Sequence, residues 1–91
     1  MMYDVVHDEP EIAWTAILRI LGHELTEDQT AVLAAGPLEN LLAVHGPKFI
    51  ERMEREAERN SRFNHLLGGV WKNQIAQEVW ERVQKARKQV W

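Results

Sequence analysis

The chain has 91 residues, 45% hydrophobic and 27% charged, with no cysteine and a net charge of −3. That length predicts one domain over 1–91 with a modest core, and the composition excludes a disordered polyelectrolyte. The absence of thiols excludes disulfides and thiolate metal centres. Asp4, Asp8 and Glu9 interrupt the start of the chain, and no apolar run reaches membrane-spanning length. A soluble, cytoplasmic protein is therefore expected. The charge divides unevenly. Residues 1–46 hold eight acids and one base, Arg19, giving −7, while residues 47–91 hold ten bases and six acids, giving +4. Solvated faces that happen to differ produce such an asymmetry, and so does a charge-steered contact surface.

Residues 1–7 are expected to be extended or loosely ordered. Asp8-Glu9-Pro10-Glu11 is a helix start, with Asp8 as cap, Glu11 in capping-box position and Pro10 in the first turn. The helix runs to Leu21 and stops at Gly22. Glu11, Thr15 and Arg19 form its polar stripe. Its remaining residues are apolar over about 240° of the circumference, too wide for a helix on the outside of a small bundle. Part of that face, including Ile12, Ala16 and Leu18, is predicted either to be central or to meet another chain.

Thr26-Glu27-Asp28-Gln29 is a second capping box. A short helix is predicted from there to Ala35, ending at Gly36. Pro37 opens another through His45, stopped by Gly46, and Pro47 opens a third through Asn60. The last of these has an apolar stripe of Phe49, Ile50, Met53 and Ala57 and a charged outer face with pairs such as Glu51/Arg55. Ser61 is expected to cap a short turn through Phe63, Leu66 and Leu67, broken by Gly68-Gly69. A final helix starts near Asn73, with Ile75, Val79, Val83, Ala86 and Val90 inward and Trp80 and Trp91 beside Arg87. The expectation is an all-α, compact bundle of five or six short helices, with helix pairs that also admit a reading as one α-solenoid-like unit. The expected core is Trp14, Ile17, Leu21, Leu41, Phe49, Met53, Leu66, Trp71, Val79 and Val83.

Four blocks carry a likeness: Pro10-Glu11-x-Ala13-Trp14-x-x-Ile17-Leu18, Gly36-Pro37-Leu38-Glu39-x-Leu41-Leu42-x-x-His45-Gly46, Leu67-Gly68-Gly69-Val70-Trp71 and Glu78-Val79-Trp80-x-x-Val83. Over residues 10–83 the chain resembles an uncharacterised bacterial family of small helical cytosolic proteins. The resemblance implies an all-α fold and no reaction. It also implies an additional N-terminal helical segment in many relatives, which would cover a surface that is open here.

Candidate chemistry is sparse. Glu39 and His45 are six residues apart, on opposite faces of an ideal helix. Glu39 suits a helix N-terminus and His45 a helix C-terminus, so both are expected to be structural. Asp4, His7, Asp8 and Glu11 match no closed metal-ligand spacing, and Gly68-Gly69-Val70-Trp71-Lys72 lacks the spacing of a phosphate loop. No cofactor, metal site or catalytic residue is predicted. The expected function is that of a small accessory or antagonist protein of the immunity or inhibitor type. Its contact residues would be Glu24, Glu27, Asp28, Ile12 and Leu18, and its partner another protein such as a toxin or nuclease with a basic surface. A homodimer through the first helix is a further expectation. The alternative is a nucleic-acid-associated module using Trp80, Arg82, Lys85, Arg87, Lys88 and Trp91.

Overall fold

A computed structural model describes residues 8–88. The predicted features in residues 1–7, and those of Val90 and Trp91, lie outside the described residues. Five α-helices and one π-helical segment follow in order: α1 (Pro10–Leu21), α2 (Glu27–Leu33), the π segment (Ala34–Leu38), α3 (Glu39–Arg59), α4 (Ser61–Leu67) and α5 (Gln77–Ala86). Among the described residues there is no strand. The all-α expectation therefore holds.

The local signals at α1 and α2 work as the residues dictate. α1 spans the predicted range with Pro10 in its first turn, although its cap position falls on Glu9, with no side-chain cap bond, rather than on Asp8. Thr26 caps α2: its hydroxyl accepts from the Gln29 N–H at 3.1 Å, and the Gln29 side chain accepts from the Thr26 N–H at 2.9 Å.

The two Gly-Pro corners behave differently from each other: the first does not end a helix as predicted, and the second does divide two helices, at a kink. Pro37 lacks an N–H, and the backbone absorbs that loss as a π-helical widening in which the Glu39 N–H reaches the Ala34 carbonyl five residues back. At the second corner α3 is two helices joined at a kink: the backbone leaves helical values at His45 (φ −126°, ψ 25°), just before Gly46-Pro47, as the sequence predicted. Gly46 is buried against α5, where an added Cβ would lie 2.9 Å from Val79 Cγ1. It is a close-approach glycine that also sits at the predicted break between helices.

Asn60, not Ser61, caps α4, accepting from the N–H groups of Arg62 and Phe63. The last helix starts at Gln77, later than expected, because Asn73 adopts a left-handed turn (φ 37°) that ends the preceding segment. Asparagine tolerates that conformation better than most residues.

α3 is the central element, touching α1, the π segment, α4 and α5. The buried apolar side chains form one cluster that includes Trp14, Ile17, Leu41, Phe49, Met53, Phe63, Leu66, Ile75 and Val83. Trp14 packs into it, edge-on to Phe63 at 5.4 Å and tilted against Phe49 at 6.1 Å. Nine of the ten expected core residues are buried; Trp71 is not, being 68% exposed. α1 is fastened to α3 by Glu11, which accepts from Arg52 at 2.6 Å, while Arg52 also lies over the Phe49 ring.

Candidate interaction surface

α1 turns Ala13, Trp14, Ile17 and Leu21 inward. Its outer side carries Ile12 (54% exposed), Thr15, Arg19 and Ile20 (36% exposed), with Ala16 half-buried among them. These positions fall on one helical face. Leu18 does not share that face: it is half-buried and packs against the core. The wide apolar surface read from the sequence is thus divided, one side supplying the core and the other left outside.

Glu24, Glu27 and Asp28 are all exposed, on the α1–α2 connection and the first turn of α2. Among the described residues none of them forms a salt bridge. Asp28 also borders a groove of about 430 Å³ whose walls include Ile20, Leu25, Val32, Leu33 and Pro37. Val32, in that wall, is 70% exposed. Sequence reasoning missed Val32 and Ile20 as surface residues. The signal was available in α2, where Leu33 takes the core and its neighbour Val32 must face away. A second hollow, of about 500 Å³, brings His23, Glu24, Ser61, Arg62 and His65 together. Its guanidinium is engaged by the fold, because Arg62 Nη1 donates to the carbonyls of Leu21 (3.2 Å) and His23 (3.4 Å) at the end of α1.

The cations of α5 are not gathered into one free basic face. Arg82 makes a two-pronged pair with Glu54 of α3, its Nε donating at 2.8 Å. Arg87 stacks over the Trp80 ring at 4.7 Å and donates to the carbonyls of Val70 (3.1 Å) and Leu67 (3.4 Å). Burial pushes its guanidinium below the usual arginine value. Lys85 and Lys88 are exposed, and the Lys88 N–H donates to the buried Asn64 side chain at 2.9 Å. Trp91 is outside the described residues.

Glu39 has a role the sequence did not disclose. Its carboxylate crosses to the segment after α4, where Oε1 accepts from the Trp71 N–H at 3.1 Å and Oε2 from Asn73 Nδ2 at 2.8 Å. The loop is pinned with the Trp71 ring outside, so Trp71 does not reach the core as expected. The turn-forming Asn73 was the available signal. Among the described residues no group of three His, Asp or Glu side chains is placed to hold a metal ion. No buried side-chain nitrogen or oxygen there lacks a partner.

These features define an all-α bundle in which many polar groups serve its own joints and in which α1 and α2 carry an exposed acidic and aliphatic surface. The chain belongs to a family of unknown function (DUF6869), whose model matches residues 1–90. No curated protein and no solved structure matches it. Among the described residues no helix is long and apolar enough to cross a membrane.

Proposed function

We propose that this protein works by binding and occluding another protein, as an accessory or antagonist of the immunity or inhibitor type, such as one that blocks a toxin or nuclease with a basic surface. The observation that carries this reading is the juxtaposition on α1 and α2 of exposed aliphatic side chains, Ile20 and Val32, with acids that form no salt bridge among the described residues. Ile12 extends the aliphatic surface along α1. Unspent acids steer encounter with a basic partner, and the aliphatic groups hold the complex once formed. The nucleic-acid reading draws less support, because Arg82 and Arg87 are already engaged within the fold. A homodimer would use the Ile12–Ala16 side of α1, and a dimer mass in light scattering would assign that side to self-association.

The test is kinetic. With a partner isolated on the immobilised protein, association is measured across a salt series for the parent and for the double variant Glu27→Lys, Asp28→Lys. Slower association and a flatter salt dependence are expected in the variant. Identical rates and slopes would remove the acids from the mechanism.

A further inference from the structure

We propose that the groove between α1 and α2 is a docking site for a basic amphipathic helix of a partner protein. This rests on the protein-binding reading and adds the place of contact and the chemistry of the ligand. The groove is walled by Ile20 from α1, Leu25 from the connection, Val32 and Leu33 from α2, and Pro37 from the π segment, with Asp28 at its edge. Leu33 is part of the buried core, so the floor is fixed. The Thr26–Gln29 capping box fixes one end of α2, and the π-helical turn fixes the other. A cleft held this way costs little to order on binding.

The shape and the charge select the occupant. Among the described residues there is no strand, hence no exposed sheet edge for an extended peptide to lengthen. An aliphatic trough between helices takes the apolar side of a helix, read as anchors at i, i+4 and i+7. The charge lining the groove is negative: Asp28 borders it, and Glu27 and Asp28 border the adjoining hollow beside Leu25. Arg62 lines a further hollow that also touches Leu25, where it is bonded to the carbonyls of Leu21 and His23. Arg19 borders a different hollow, with Glu11, Ile12, Thr15 and Ala16. A lysine or arginine beside the apolar anchors would therefore meet Asp28. A second copy docked through the same groove about a two-fold axis would set these acids against themselves. The basic α5 of a second copy fits poorly, since Val79 and Val83 lie in its own core and Arg82 holds Glu54.

The probe is a synthetic 15-residue helical peptide with leucine at i, i+4 and i+7 and lysine on its flanks, titrated into the isotopically labelled full chain and followed by amide NMR shifts. Two control peptides carry glutamate for lysine or the same composition in scrambled order. Shifts are expected to concentrate on Ile20, Leu25, Asp28 and Val32, with at least about tenfold weaker binding to Val32→Asp, which puts a charge in the trough, and parent-like binding to Ile12→Asp, outside the groove. Val32 is exposed, so its replacement should leave the remaining spectrum unchanged. Equal binding of the scrambled peptide, or shifts centred elsewhere, would overturn the groove. A native partner weakened by Glu27→Lys, Asp28→Lys but not by Val32→Asp would also overturn the groove and leave the protein-binding reading intact. A partner indifferent to all three changes would overturn the groove and remove the acids from the mechanism.

Discussion

Gly46 and Gly36 stand in identical Gly-Pro dipeptides for opposite reasons. At Gly46 a methyl group would meet the Val79 side chain, whereas at Gly36 nothing beyond the chain neighbours and the local helix backbone lies within 4 Å of the added carbon. Gly46→Ala should therefore cost about 1–3 kcal/mol, the usual penalty for overpacking. Gly36→Ala should stay within about 1 kcal/mol of the parent, because alanine's helical preference is offset by its contact with the following proline ring. Paired urea melts check the contrast, and equal midpoints would contradict the α3–α5 approach. Glu39 is the other residue whose identity matters more than its helix position implied. Glu39→Ala removes both acceptors, so the Trp71 N–H and the Asn73 side chain both give up their bonds. Faster amide exchange at Trp71 is the expected outcome; unchanged exchange would show that the loop is held by other contacts.

At the scale of elements, the start of α2 and the span of α1 were legible because their signals are local: a proline in the first turn, and Thr26 three residues before Gln29. The break before Pro47 was legible too, and is found as the kink at His45. The course of the chain through Pro37 was not: proline inside a helix costs about 3 kcal/mol or more in isolation, but here the helical path continues as a π-helical turn, with Ala34, Leu38, Leu41 and Leu42 all buried. Packing over distant neighbours decides that balance, and no local rule contains it. Trp71 was misplaced for the same reason: its loop is fixed by Glu39, which lies more than thirty residues earlier in the chain. The α3–α4 joint depends on a buried acid. Glu56 accepts from Asn60 Nδ2 at 3.0 Å and from Arg59 at 2.7 Å and 3.1 Å. The Asn60 bond foremost, and then Arg59, hold its carboxyl below the usual glutamate value. A lowered folded value means that this stability is present above the unfolded glutamate value and is lost as pH falls through the folded one. Urea melts should therefore show the parent losing stability below about pH 5 more steeply than Glu56→Gln. Parallel pH profiles would contradict that role.

At the scale of the whole molecule, α3 organises the bundle, and its buried face is where a single truncation should be felt most. Leu41 is fully buried, so Leu41→Ala should cost about 2–5 kcal/mol, read from the same urea melts. The arginines close the structure at its corners: Arg62 on the end of α1, Arg87 on the end of α4, Arg82 across to Glu54 and Arg52 across to Glu11. The positive half of the chain is thus largely spent on holding the fold together, while Glu24, Glu27 and Asp28 form no salt bridge among the described residues. The charge asymmetry was visible in the sequence, but which half stays available depends on pairings that only the folded chain brings together. Amide hydrogen exchange of the chain alone and in complex with a captured protein partner tests this account most directly. Slowed exchange is predicted along the outer side of α1 and α2, between Ile12 and Val32, with α5 unchanged. Protection confined to the segment from Trp80 to Lys88, with α1 and α2 exchanging as in the free protein, would contradict it.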